Sequence, residues 1–380
     1  MTERLFTRAR VVTEREVLPE ATVRVVDGRI VSVEPGVTDA PGAIDCGGDL
    51  LLPGLVEVHT DNLERHVMPR PKVTFPMRTA VQAHDAELAS AGITTVLDAI
   101  GVGDPYGDGF RSRDQSALLS VLDALDDAGL LRCRHLIHVR CELPAPNAIE
   151  LFEPFAGHAR LRLISLMDHT PGQRQWTEIE HARVYYTGKK GWSDAQFDEE
   201  VRRAPERQAR WAQPNRRWFA DWANAHGVAL ATHDDTTVEH VEEARALGAT
   251  MSEFPTTLAA ARHAHANGLA TIAGAPNVVR GGSHSGNVAA AELAREGVLD
   301  GLSSDYVPGS LLQAAWRLHA DAGFSLPEAV RVVSRGPALA AGLEDRGSIE
   351  PGHLGDLLRV AVLDGHPVVR QAWIDGERVA

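Results

Sequence analysis

The sequence predicts a (β/α)8 barrel joined to a small composite β-sandwich domain built from both termini. Three observations predict it. Eight short apolar segments alternate with helical patterns through the middle of the chain. Both ends carry alternating apolar and polar residues, broken by Asp-Gly turns. Several of the eight central segments end in histidine or a carboxylate, and the carboxyl ends of barrel strands are where active sites are built. The expected division is 1–52 plus 345–380 for the sandwich and 53–344 for the barrel, with a helical insertion near 170–215.

In chain order, Phe6–Val12 and Ala21–Val26 alternate as strands, Asp27-Gly28 is a hairpin turn, and Ile30–Val33 is a third short strand. The barrel strands are expected at 55–61, 93–98, 135–142, 161–168, 228–233, 249–254, 270–275 and 299–305. Helical patterns separate most of them, including Asp114–Ala128, Pro214–His226, Val238–Leu247 and Gly286–Glu296. Asp356–Val362 and Pro367–Ile374 return to strand, with Asp375-Gly376 as a further turn.

The composition excludes several classes. A formal net charge of −14 argues against coating a nucleic acid, which needs a basic surface, but not against a small anion in a locally basic pocket. Three scattered cysteines, Cys46, Cys133 and Cys141, form no disulfide framework and fit a reducing cytoplasm. No apolar run is long enough to span a membrane, and the N-terminus lacks the apolar stretch of a signal peptide.

The chemistry is concentrated at strand ends. His59 and Asp61 close the apolar run Leu51–Val58, and residues i and i+2 of a strand share a face, so both side chains can converge on one divalent ion. Glu142, His169, His233 and Asp305 end four further segments. Glu142 has two oxygens to share between two ions. Asp305 is placed to accept a proton from an activated water. Asp168, Asp234 and Asp235 stand beside the histidines as orienting partners or as solvated loop acids. Of the three lysines, Lys72, Lys189 and Lys190, none ends an apolar strand, so none is a carboxylated bridge.

A second set of residues suits phosphate. Arg280, Gly281, Gly282, Ser283, His284 and Asn287 follow the seventh barrel segment and open a helical pattern, a context in which backbone and side-chain donors meet anions. Arg70 and Lys72 lie in the proline-stiffened loop after the first segment, and Arg174 follows His169.

These motifs resemble a known family. Leu52-Pro53-Gly54-Leu55 ahead of a metal pair is similar to the amidohydrolase superfamily. The stretches 57–64, 69–73, 92–99, 140–144, 165–175, 233–235, 253–257 and 274–287 resemble, in order, the PhnM family of triphosphate diphosphatases. The resemblance implies an amidohydrolase-type barrel and one or two divalent ions, usually taken as zinc, with Mn2+ or Fe2+ as alternatives. It implies hydrolysis of α-D-ribose 1-methylphosphonate 5-triphosphate to the 5-phosphate and pyrophosphate, in phosphonate catabolism by the carbon–phosphorus lyase pathway. It carries His59, Asp61, Glu142, His169, His233 and Asp305 to the metals. The expected partner is the small triphosphate substrate, with no nucleic acid and no membrane, and association of identical copies is left open. The rival activity is hydrolysis of a carbon–nitrogen bond by a deaminase or cyclic amidase, which the metal centre alone could also serve.

Overall fold

The computed structural model describes residues 2–70, 73–105, 116–188, 191–283 and 286–380. Its strands form two eight-stranded sheets. The first takes β1 (Glu3–Val12), β2 (Val17–Val26), β3 (Arg29–Pro35), β4 (Ile44–Asp45) and β5 (Leu50–Pro53) from one end of the chain. The other end supplies β14 (Leu357–Leu363), β15 (His366–Ile374) and β16 (Glu377–Arg378). Its order is β16-β15-β14-β5-β1-β2-β3, with β4 beside β1. Asp27, Asp364 and Asp375 take left-handed φ of 46°, 51° and 52°, each followed by a left-handed glycine, as two-residue hairpin turns require. The Asp364-Gly365 turn escaped the sequence reading.

The second sheet is parallel and runs in chain order through β6 (Leu55–Thr60), β7 (Ile93–Val102), β8 (Arg134–Glu142), β9 (Leu161–Met167), β10 (Ala229–His233), β11 (Met251–Glu253), β12 (Ala270–Gly274) and β13 (Gly301–Ser303). A parallel bridge between Thr60 and Asp305 closes it into a barrel. All eight expected segments are present. Among the described residues, no helix is long and apolar enough to cross a membrane.

Two departures from expectation have physical causes. The apolar run 51–58 is not one strand. It divides at Gly54, with β5 pairing β1 and β14 while β6 enters the barrel. A Cβ on Gly54 would stand 2.1 Å from Thr94 Oγ1, so only glycine lets the chain cross there. The helix expected from Pro214 instead begins at Asp194 and runs unbroken to His226 through Pro205 and Pro214. A Ser193–Gln196 capping box starts it, and burial of Phe197, Ala204, Phe219 and Ala223 offsets the hydrogen bonds the prolines forfeit.

Side chains alternate in and out along each barrel strand. Val56, Val58, Leu97, Leu163, Ala231, Met251 and Ile272 fill the lower barrel as one apolar cluster, with Ala338, Ala341 and Leu343 packed onto it. Above this floor the inward positions turn polar: His138, Arg140 and Glu142 on β8, His233 on β10 and Glu253 on β11. The strand order thus places a polar layer on an apolar plug, facing the strands' carboxyl ends.

Candidate metal centre

Three histidines at strand ends lie side by side. The His59 and His233 ring centroids are 5.6 Å apart, and those of His169 and His233 are 5.8 Å apart. Each ring is held at Nδ1 by a carboxylate. His59 Nδ1 is 3.1 Å from Glu253 Oε1, His169 Nδ1 is 2.5 Å from Glu142 Oε2, and His233 Nδ1 is 2.7 Å from Asp234 Oδ2. A carboxylate accepts, so Nδ1 carries the ring proton and Nε2 keeps the lone pair. This is how metal-binding histidines are commonly oriented. His233 Nε2 is buried without a hydrogen-bond partner. The donor set, imidazole nitrogens beside carboxylates, fits a borderline divalent ion.

Burial and neighbouring charge set the protonation. Burial, helped by the Arg140 guanidinium, holds His59 well below the usual imidazole range. At His233 burial also opposes protonation, but the Asp234 carboxylate outweighs it and shifts the group up. His138 is held neutral by burial, its pKa down at about 3.

Of the three remaining expected ligands, Asp61 and Asp305 sit at the barrel seam. The Asp305 N–H donates to the His59 carbonyl at 3.1 Å, and its own carbonyl accepts from Asp61 N at 2.8 Å. The Asp61 carboxylate is ion-paired to Arg140, whose side chain is 6% exposed. Glu142 uses both oxygens on His169, accepting from the backbone N at 3.0 Å and facing the ring at 2.5 Å.

Beneath the seam, Glu57 is fully buried. Its two oxygens accept from His59 N and Ser304 N, each at 2.6 Å, which ties β6 to the segment after β13. Burial pushes this carboxyl up to about 8. Three residues just past strands in this region, Asp234, Phe254 and Asp305, are left-handed at φ 57°, 52° and 54°. The geometry costs a non-glycine residue about 1 kcal/mol and turns the chain sharply at the mouth.

The phosphate-suited residues are dispersed. Arg174 is buried and donates to the His233 carbonyl and Asp235 Oδ1, both at 3.0 Å. It braces the end of β10. Asp235 also accepts from Thr232 at 2.5 Å and Ser252 at 2.8 Å. Asp168 accepts from Gln208 at 3.1 Å, a tie to the long helix. Arg280 is exposed and lines an outer pocket of about 210 Å3 with Arg295, Arg317 and Asp321, where none of the expected ligands lies. Arg70 is exposed, Gly281 is exposed, and Gly282, Ser283 and Asn287 are half-buried in the loop beyond Arg280. Lys72 and His284 lie outside the described residues.

Sequence reasoning gave no role to Glu253, His138 or Glu57. Glu253 ends the sixth barrel strand and obeys the same strand-end rule as the others. His138 lies an even four positions before Glu142 in one strand, hence on the same face. A further cluster, His84, Asp98 and His135, is fully buried. Each of its ring nitrogens already has a partner: His84 has Asp98 at 2.7 Å and Asn62 at 3.0 Å, and His135 has Asp98 at 2.7 Å and Asp85 at 3.4 Å. With no lone pair to spare it is an internal brace, and it anchors Asn62, the residue after Asp61.

Residues 65–380 match the amidohydrolase family. Across 377 residues, 99% of this chain and 100% of the relative, the sequence is 43% identical to an α-D-ribose 1-methylphosphonate 5-triphosphate diphosphatase from Escherichia coli strain K12. The chain belongs to the amidohydrolase family, and within it to the PhnM family. Solved structures of more distant proteins share its fold. An N-acetylglucosamine-6-phosphate deacetylase from Pasteurella multocida superimposes with a TM-score of 0.66 at 14% identity, covering 99% of each chain. A dihydropyrimidinase from Brevibacillus agri gives a TM-score of 0.63 at 12% identity, covering 99% of this chain and 95% of its own.

Proposed function

We propose that this PhnM-family chain hydrolyses α-D-ribose 1-methylphosphonate 5-triphosphate to the 5-phosphate and pyrophosphate, as a metal-dependent enzyme of phosphonate catabolism. The observation that carries the reading is the 43% identity, end to end, to the E. coli diphosphatase. The distant deacetylase and dihydropyrimidinase support the fold and do not favour carbon–nitrogen hydrolysis.

In this reading His59, His169 and His233, each with Nδ1 held by a carboxylate, would hold a divalent ion, zinc or alternatively Mn2+ or Fe2+. Asp61, Glu142 and Asp305 complete the negative surroundings. When bound, the ion supplies Lewis-acid polarisation and lowers the pKa of water. The protein's own part is orientation and charge. Glu253, Glu142 and Asp234 hold the three rings through Nδ1. The backbone of Asp305 is fixed to β6, and its carboxylate is assigned the role of proton acceptor for the attacking water. The Arg140 guanidinium, close to Asp61 and Asp305, balances negative charge at the mouth. Arg70, Lys72 and the loop Gly281, Gly282, Ser283, His284 and Asn287 are assigned to the polyphosphate, where catalysis consists mainly of stabilising charge on the leaving pyrophosphate. Arg174 and Arg280 take no part in substrate binding in this scheme. Three free, buried cysteines fit a cytoplasmic enzyme.

The test is direct. Metal-replete protein is given the ribose 5-triphosphate, and pyrophosphate is measured against ammonia release from a panel of cyclic amides. Pyrophosphate release that is abolished by chelator is expected. Ammonia release with no pyrophosphate would overturn the reading.

A further inference from the structure

Several buried polar atoms in the barrel lack a hydrogen-bond partner, among them His138 Nε2, Ser165 Oγ, His233 Nε2 and Glu253 Oε2. All four belong to inward positions, because the flanking Ile137, Val139, Ile164 and Leu166 pack outward while Leu163, Ala231 and Met251 fill the interior. Buried polar atoms in native proteins are nearly always satisfied, so each orphan calls for an occupant.

The sharpest case is the pair His138 and Glu253. His138 Nδ1 lies 2.9 Å from the Val58 carbonyl, which can only accept, so the ring proton is on Nδ1 and Nε2 presents a lone pair. Glu253 uses Oε1 on His59 Nδ1, at 3.1 Å. Its other oxygen, Oε2, faces His138 Nε2 at 3.7 Å. Two acceptors therefore face one another in a fully buried space, an unfavourable arrangement unless a cation or a hydrogen-bond donor lies between them. Two ligand atoms each ~2.1 Å from one tetrahedral ion stand about 3.4 Å apart, close to the spacing found here. His59, His138 and Glu253 each offer a ligand atom within 4.8 Å of the others.

We propose that His138 and Glu253 hold a divalent cation beneath the strand-end histidines, a buried site one layer deeper than the ligand set that the sequence suggests. His138 lies two inward positions below Glu142 on β8, at the level where the apolar floor gives way to polar side chains. Through Glu253 the deep cation is linked to His59, so loading it fixes the His59 ring for work at the mouth. The chemical class is a zinc-type ion, because imidazole nitrogen plus carboxylate oxygen is its usual ligand mixture. This deepens the metal-dependent reading above and rests on it.

The experiment is a crystal of zinc-loaded, full-length protein, measured on both sides of the zinc absorption edge, with metal per chain counted in solution for the wild type, His138→Gln and Glu253→Gln. An anomalous peak between His138 Nε2 and Glu253 Oε2 is expected. Each variant is expected to bind one equivalent fewer than wild type, or to hold it roughly 10–100-fold less tightly against a chelator. Absence of the peak, or variants that keep the full complement with unchanged retention, overturns the site and assigns the gap to water. The wild-type crystal decides the matter even where a variant does not fold. Pyrophosphate release is read separately. Release without the deep peak sinks this site and leaves the diphosphatase, while a deep peak without release sinks the diphosphatase and leaves the site.

Discussion

Asp305 donates its backbone N–H to the carbonyl of His59, 3.1 Å away across the seam where the last barrel strand meets the first. The contact that closes the barrel thus also fixes the backbone of His59 at the candidate metal centre. The same contact that completes the sheet brings together residues from opposite ends of the barrel sequence, and Glu57 reinforces it from below.

Replacing Asp234 by asparagine should loosen metal without unfolding the chain. Asparagine tolerates the left-handed φ of 57° at this position, so the turn survives. The charge that holds His233 Nδ1 is lost, and metal retention should weaken roughly 10–100-fold. Dialysis followed by metal analysis reads the retention, and an unchanged melting curve without metal confirms the fold. Asp234→Ala should add about 1 kcal/mol of destabilisation from backbone strain.

The Arg140–Asp61 pair predicts an asymmetric response. Asp61→Asn leaves a guanidinium that is 6% exposed without its main carboxylate. Glu64 and Asp305 still act on it, so the loss should be about 2–3 kcal/mol, below the ~3–5 of a fully isolated buried charge. Arg140→Met should cost less, because Asp61 is 26% exposed and can be hydrated. Denaturant midpoints of both variants and the double variant measure this, and equal losses would argue against it.

His135 predicts an alkaline weakening of the fold. Burial alone would lower its pKa, but the charges of Asp98 and Asp85 prevail and raise it to about 9. Because the folded value lies above that of the unfolded chain, the contribution is complete below about pH 6.5 and is lost as pH rises through 9. The interval corresponds to about 3 kcal/mol. Unfolding free energies of the wild type and His135→Gln should therefore converge between about pH 6.5 and 9. Parallel curves would show that His135 is uncharged in the native state.

Arg280→Ala should leave kcat and KM for the triphosphate within about twofold. The side chain lines the outer pocket with Arg295 and Arg317. A tenfold or larger rise in KM, on the order of 1.4 kcal/mol of lost binding, would place the polyphosphate against it instead.

The barrel was legible because each buried parallel strand is a short, continuous apolar run between helical patterns, and the strand-end histidines stand out against such runs. The break at Gly54 was not legible. Leu51 to Val58 is buried in one sheet or the other along its whole length, so hydrophobicity carries no mark where the chain changes sheets. Prolines hid the first two-thirds of the long helix, because their local cost is visible in sequence while the burial that offsets it is tertiary. At the site, a search confined to strand ends could not reach His138, which lies mid-strand. Arg174 read as a phosphate-binding cation because its partner Asp235, 61 positions away, is chosen only by folding.

The edge-to-edge sheet of the two chain ends has a consequence for how the protein is made. β5 waits for β14, and Asp49 waits for Arg359, 310 positions later. Every barrel strand leaves the ribosome before that partner exists. The barrel can therefore mature while β1 to β5 still expose an unpaired edge, and during synthesis that edge is where self-association competes with correct assembly.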